Sequence, residues 1–451
     1  MSHTEKKHDQ YYEMANAPIS HIIPKLAAPT IVSMLISSIY NMADTFFVSQ
    51  LGTSASGAVG VIFSAMSIIQ ALAFMIGMGS GNYMTRSLGA GKRELAEQIV
   101  SIAFFTGIIM GLVITVSATF NIHRVVLLLG ATETIAPYAE AYAHYIFIAA
   151  PFMICSFIMN NLLRFQGKAS FAMVGITVGG LLNIALDPLF IFTLDMGTAG
   201  AALATGLSQF ISFCILLCCI SISIRKFRPK LAIYREVLYG GIPSLGRQGI
   251  ASVATILMNF MCQPYGDAAI AAMSIVSRFM FFINSVIIGF GQGFQPVCSY
   301  CFGAGLYDRV KKACWFCIRV STIILLVLSV ISFPAARSII TLFRRNDPTV
   351  IEIGTLALRL QLITLPLQGA VIMGNMMPQS IGYGFRATLV STARQGIFLI
   401  PLLTIMTYTI GLLGIQCAQP LADIATFILS LFVIRGIFKE FPEDASSFAA
   451  Q

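Results

Sequence analysis

Apolar stretches of 18 to 30 residues alternate with short polar segments along almost the whole chain. A strand needs only 4–8 residues and a buried core helix about 10–14, whereas roughly 20 helical residues cross the ~30 Å hydrocarbon layer of a bilayer. The pattern predicts twelve membrane-spanning helices, at 20–48, 57–81, 95–119, 137–163, 170–194, 199–222, 237–262, 268–298, 313–334, 352–376, 387–408 and 412–437. The opening MSHTEKKHDQYYEMANAPIS is polar and lacks the apolar core of a cleavable signal, so the first span is expected to serve as the insertion signal. The expected organisation is a polar N-terminal segment 1–19, a six-helix lobe 20–222, a joining loop 223–236, a second six-helix lobe 237–437 and a tail 438–451.

Composition agrees with this class. Hydrophobic residues make up 57% and charged residues 10% of the 451, against roughly 45–50% and about 25% in soluble proteins. So apolar a chain cannot clothe itself in polar surface, and the bilayer is its first partner.

The net charge of +9 raises the question of a nucleic-acid partner, which the placement of the basic residues answers. Lys92 and Arg93 follow the second span, Arg164 and Lys168 the fourth, Arg225, Lys226, Arg228, Lys230 and Arg235 the sixth, and Arg309, Lys311 and Lys312 the eighth. The alternate loops hold chiefly Arg124, Arg337, Arg344 and Arg345. Such asymmetry is the positive-inside bias; it places both termini in the cytoplasm and explains the charge without nucleic acid.

The chain also repeats itself. Pro29 pairs with Pro243, Gly52 with Gly266, Gly77 and Gly79 with Gly291 and Gly293, and Gly89 and Gly91 with Gly303 and Gly305, all at one step (303 − 89 = 214). GTAG at 197–200 meets GLLG at 411–414 at the same step. Six spans return the chain to the side on which it started, so the halves share one orientation and form a parallel repeat about an axis along the membrane normal. The glycines of SLGAGKREL and CFGAGLYDR follow no strand, and are expected to shape equivalent turns rather than to cradle a phosphate.

Ionisable groups inside spans cost about 2.5–3.5 kcal/mol each on insertion scales, which makes each one a functional candidate. Asp44 lies near the outer end of the first span, and Asn183 and Asp187 share a face of the fifth, four residues apart. Pro188 adds a backbone carbonyl, that of Ile184, left without its usual donor. Such a group of oxygens suits a hard cation such as Na⁺, or proton exchange. The bland alternatives are that Asn183 caps a kink, that Asp187 faces water at a helix end and that Asp44 reaches the outer interface.

ADTFFVSQLG in the first span, NIALDP in the fifth and twelve spans in two like-oriented halves together resemble the multidrug and toxic compound extrusion (MATE) family over roughly residues 18 to 440. The resemblance implies a V-shaped pair of lobes that export lipophilic cations by alternating access in exchange for Na⁺ or H⁺, acting as a monomer in the plasma (inner) membrane, with no cofactor and no enzymatic step. It also implies that Asp44, Asn183 and Asp187 couple cations, with Thr205 and Asn160 at spacings similar to further first-lobe ligands. Asp44, Asp187, Gln209, Arg247 and Gln248 are the candidate substrate contacts. The expected metal is none beyond a Na⁺ at Asp187 and Asn183.

The second half departs from the family, because its seventh and tenth spans lack the carboxylates some members carry there. It has instead Arg247, Gln248, Arg278 and Arg359, and one acid well inside a span, Asp423, expected to pair with an arginine; Arg247 and Arg359 are expected to snorkel to the headgroups. His144 is expected to pack or to form a hydrogen bond rather than to act as a ligand. Two other functions fit a many-helix chain. A lipid-linked saccharide flippase would use the arginines on phosphate, and a membrane-embedded enzyme would need a clustered His, Glu or Asp metal set that the sequence lacks.

Cys298-Ser-Tyr-Cys301 and Cys314-Trp-Phe-Cys317 match the spacing of a zinc site, yet one pair ends a span and the other begins one, where cysteine serves as a small apolar residue. Replacement of all four by serine or alanine is expected to leave efflux largely intact. Loss of activity restored only by added zinc would overturn that reading.

Overall fold

The computed structural model describes residues 11–343 and 347–442, except the side chains of Ser49, Thr53, Ser54 and Ser56. Arg344 and Arg345 lie outside the described residues, as do 1–10 and 443–451. The first lobe comprises α1 (Ile19–Ser49), α2 (Thr53–Gly89), α3 (Arg93–Phe120), α4 (Ala136–Phe165), α5 (Ala169–Thr193) and α6 (Gly197–Cys219). The second comprises α7 (Leu231–Cys262), α8 (Asp267–Gly303), α9 (Tyr307–Phe343), α10 (Pro348–Ile381), α11 (Gly384–Ile410) and α12 (Leu412–Glu440).

Eleven of these helices are long and apolar enough to cross a membrane among the described residues. The twelfth, α7, has the length at 32 residues but carries Gly240, Gly241, Pro243, Arg247 and Gln248, which leave it less apolar than the other eleven.

The helices differ from the expected spans at their ends. The joining segment was expected to run to 236, but α7 begins at Leu231. Pro229 disfavours helical geometry at Arg228, and once it is passed nothing in LAIYREVLYG interrupts a helix. Helices α8 and α9 have 37 residues each, about 55 Å at 1.5 Å per residue. They project past the hydrocarbon layer, so Arg309, Lys311 and Lys312 lie on α9 rather than in a loop.

The lobes meet through backbone. A Cβ on Gly89 would stand 2.2 Å from the Tyr300 carbonyl oxygen, and one on Gly303 would stand 2.1 Å from the Arg86 carbonyl oxygen. Tyr300 and Arg86 are themselves separated by the repeat step (300 − 86 = 214), so the two contacts are one contact seen twice across a pseudo-two-fold axis. Gly79 against Gly241, at 3.0 Å, and Gly293 against Ala27, at 2.5 Å, form a second such pair (241 − 27 = 214), and a Cβ on Gly79 would also stand 1.9 Å from the Val237 carbonyl oxygen. The last glycine of each Gly-Ala-Gly serves the turn instead, since Gly91 and Gly305 both adopt φ +75° and lead the chain into the next helix.

Polar side chains lock the same end. Ser299 donates to Asn82 Oδ1 at 2.9 Å and to the Ser380 carbonyl at 3.1 Å, while Arg86 donates to the Ile381 carbonyl at 2.9 Å and lies 3.5 Å from Glu236. Arg164, expected among the loop charges, is instead inside α4 and only 2% exposed. It donates to Gln292 across the lobe boundary, to Asn161 Oδ1 at 2.6 Å and to the Met78 sulfur. Ser38 and Ser285, 3.2 Å apart, make the cross-lobe hydrogen bond nearest the middle of α1 and α8, and among the described residues none lies farther from the basic end.

Gly79→Ala forces a methyl group into the Val237 carbonyl, and such overpacking costs about 1–3 kcal/mol. It is expected to lower the thermal unfolding midpoint of the detergent-solubilised protein, whereas Gly60→Ala, where a Cβ meets nothing within 4 Å, is expected not to. Equal midpoints for both variants would refute the close backbone seal.

Candidate cation and substrate site

Three helices of the first lobe each turn a polar stripe toward one point. Ser37, Tyr40 and Asp44 recur at helical spacing on α1, Asn183 and Asp187 on α5, and Thr205, Ser208, Gln209 and Ser212 on α6. The fifth helix changes its hydrogen-bond pattern at this point. Its α-helical part ends at Pro188 and continues as a π turn, Leu189–Thr193, the geometry that follows when proline cannot supply its N–H.

Between the stripes lies a cavity of about 30 Å³, lined among others by Ser37, Tyr40, Asn183, Thr205, Ser208 and Gln209. That volume suits one water-sized occupant. Asn183 Nδ2 donates to Asp187 Oδ1 and to Thr205 Oγ1, each at 3.3 Å. The acceptors on the other side of these groups stay unpaired: Asn183 Oδ1, Asp187 Oδ2, Asp44 Oδ1 and Ser208 Oγ are buried without a hydrogen-bond partner. A buried polar atom left so costs about 1–3 kcal/mol. Asn183 and Ser208 border the cavity, and their free oxygens, with those of Asp187 and Asp44 on the same three helices, make an all-oxygen and therefore hard donor set for a cation.

Asp187 is fully buried and does not face water at a helix end, while Asp44 is half-buried. The two carboxylates are close enough to repel each other, and Tyr142, whose position in the sequence carries no sign of a role, is within electrostatic reach of both.

The other predicted residues are placed differently. Asn160 donates to the Ala172 carbonyl at 2.9 Å and does not line the cavity. Asn375 makes the same bond to Ala387 at 2.8 Å in the second lobe, so this asparagine ties neighbouring helices in both halves. Gln209 lines the cavity, and its backbone carbonyl accepts from Ser156 at 3.3 Å. Arg247 and Gln248 lie on α7, outside the cavity lining; Arg247 is near enough to Arg164 for the two like charges to repel. Arg359 packs over the Phe333 ring at 5.5 Å, and His144 sits on the surface of α4 with its ring 5.7 Å from that of Tyr145. The cysteines at 298, 301, 314 and 317 are all buried in one apolar cluster with Phe290 and Met373.

The second lobe answers its buried acid in another way. Asp423 is fully buried, and its carboxylate takes Arg394 Nε at 2.8 Å and Gln419 Nε2 at 2.9 Å on one oxygen, and Gln368 Nε2 at 2.9 Å on the other. The expected arginine partner exists, but it is Arg394 rather than Arg247, Arg278 or Arg359. Arg394 belongs to a π turn, Ala393–Phe398, that precedes Pro401 as the first-lobe π turn follows Pro188. Its charge inside the eleventh predicted span was the signal that sequence reading passed over. The tethered guanidinium occupies the carboxylate that a mobile ion would need.

The MatE family model matches residues 29–189 and 243–405, two segments whose starts are again one repeat step apart. The chain is 27% identical over 436 residues to the multidrug export protein MepA of Staphylococcus saprophyticus, covering 95% of this chain and 96% of that relative. It is 26% identical over 436 residues to MepA of Staphylococcus aureus, with the same coverage of both. A solved structure described as the outward-facing conformation of a multidrug resistance MATE family transporter matches with a TM-score of 0.90 and 25% identity, over 95% of this chain and 97% of the other.

Removing one partner of a buried ion pair costs about 3–5 kcal/mol, because the other charge is stranded. Arg394→Met is therefore expected to lower the thermal midpoint of the purified protein sharply, and Arg394→Met combined with Asp423→Asn to recover much of the loss. An additive double variant would show that the pair is not coupled.

Proposed function

This chain belongs to the MatE family, and on that premise we propose that it is a multidrug efflux transporter which exchanges small lipophilic cations for Na⁺ or H⁺ by alternating access. The proposal places both termini on the cytoplasmic side of the plasma (inner) membrane, in keeping with the basic loops. The observation that carries the coupling is the set of unpartnered buried oxygens on Asn183, Asp187, Asp44 and Ser208, held by three of the helices whose side chains line the first-lobe cavity.

The seal at the basic end closes the cleft toward the cytoplasm in this state. An ion arriving from the opposite side enters the first-lobe cavity beside Asn183, whose Oδ1 has no partner, and meets the free Oδ2 of Asp187 one helical turn on. Thr205 Oγ1 completes the approach from α6, and Asp44 lends its charge from α1. Binding draws α1, α5 and α6 together beside the Pro188 π turn, the point on α5 where the hydrogen-bond ladder is already interrupted and bending is cheapest. A drug cation attracted to the same carboxylates is then in competition with the ion. By linkage the ion expels drug only as far as it prefers the drug-free form. The lobes then exchange the seal at one end for closure at the other. The second lobe takes part as a rigid body, with Asp423 neutralised by Arg394.

The test is efflux of a cationic dye from proteoliposomes under an imposed Na⁺ gradient and, separately, under a pH gradient. Wild type is expected to respond to one of them, and that gradient names the ion. Asp187→Asn keeps the shape and removes the charge; it is expected to abolish gradient-driven efflux while the protein remains inserted and folded. Undiminished efflux by that variant overturns the first-lobe coupling site, and a wild type insensitive to both gradients overturns antiport.

A further inference from the structure

The only tryptophan of the chain, Trp315, is on α9 beside three cations. Lys311, Lys312, Trp315, Phe316 and Arg319 line a groove of about 500 Å³. Positions 311, 315 and 319 follow one another at four-residue steps, as do 312 and 316, so all five share one face of the helix. Lys311 lies 3.7 Å from Asp308 and over the Phe441 ring at 5.9 Å. Lys312 and Arg319 are exposed and have no hydrogen-bond or ion-pair partner among the described residues. Among the same residues no carboxylate lines the groove.

Depth along the helix decides what the groove meets. Arg319 is the last charge before residues 320–336, which carry none; seventeen helical residues span about 26 Å, close to the hydrocarbon thickness. Arg319 is therefore at the hydrocarbon boundary on the basic side of the protein. Lys312 lies seven residues back, about 10 Å farther out, in the headgroup layer. Trp315 falls between them, its ring 6.4 Å from that of Phe438 on α12, at the level where tryptophan rings settle in membranes. A groove that begins at the acyl boundary, ends in the headgroups and presents two unpaired cations has the dimensions and charge of a phospholipid binding site. A soluble anion would use the outer cations and leave the aromatic floor and Arg319 without a purpose.

We propose that this face of α9 is a site for an anionic phospholipid, its phosphate held between Lys312 and Arg319 and its first acyl segment over Trp315 and Phe316. The site is separate from the cation cavity and does not depend on which ion drives transport. Its position beside Phe438 and Phe441 places a bound lipid against the second lobe.

The single tryptophan makes the test specific. Purified full-length protein is reconstituted in phosphatidylcholine bilayers containing an equal mole fraction of either brominated phosphatidylglycerol or brominated phosphatidylcholine, and quenching of Trp315 fluorescence is measured. The anionic lipid is expected to quench preferentially, by roughly five-fold in relative binding for each basic residue that engages it, and the preference is expected to weaken with salt. Lys312→Gln with Arg319→Gln is expected to abolish the preference, and Lys312→Arg with Arg319→Lys to retain it; both pairs are exposed, and an unchanged thermal midpoint certifies the fold. Equal quenching by the two lipids in wild type overturns the site, as does a preference that survives the glutamine variant. Inorganic phosphate that removes the preference at constant ionic strength assigns the groove to a soluble anion and also overturns the proposal.

Discussion

The contact on which the rest of this structure depends is backbone against backbone at the basic end of the two lobes. Gly89 with Tyr300 and Gly303 with Arg86 leave no room for a single methyl group, and the same is true of Gly79 and Gly293 one layer deeper. Lipid supplies no hydrophobic drive between helices, so close packing of small residues and hydrogen bonds must hold them together. That need is met here at one end only. The contacts are reciprocal under the repeat, which means that neither lobe is the lid of the other, and that a rearrangement of the seal engages both halves together.

Against that symmetry the charges are unequal. Each lobe has one fully buried aspartate near a π turn and a proline. In the first lobe Asp187 shares one weak hydrogen bond with Asn183 and keeps an oxygen free. In the second, Asp423 is saturated by Arg394, Gln368 and Gln419. The first lobe thus keeps its buried acid partly unpaired, on α5, while the second ties its own, on α12, into a fixed ion pair.

Much of this was legible without coordinates. The twelve helices, the two halves and the pairing of Asn183 with Asp187 follow from apolar run length, from the glycine register and from helical spacing on α5, and Asp44 joined them only through the family resemblance. Less was legible for Arg164 and Asn160. Arg164 follows a span and reads as a loop cation, but it is buried because Gln292 and Asn161 meet it from two directions; one of those partners is 128 residues away. Asn160 reads as a ligand, and it is a helix tie because Ala172, on the next helix, presents a carbonyl to it.

By itself the amino-acid sequence determined where the chain crosses the membrane, that it does so twice over in the same sense, and which residue types lie at membrane depth. These properties are local or periodic, and each is settled by the transfer free energy of a segment of about twenty residues. Tertiary structure alone decided which of those polar residues stay unpaired. Pairing depends on partners brought together from helices far apart in sequence, as Arg394 is to Asp423 and Arg164 is to Gln292, and a buried polar group commits to whichever partner lies within about 3 Å. Whether an intramembrane acid is free to bind an ion is therefore a property of the packed bundle, not of the helix that carries it.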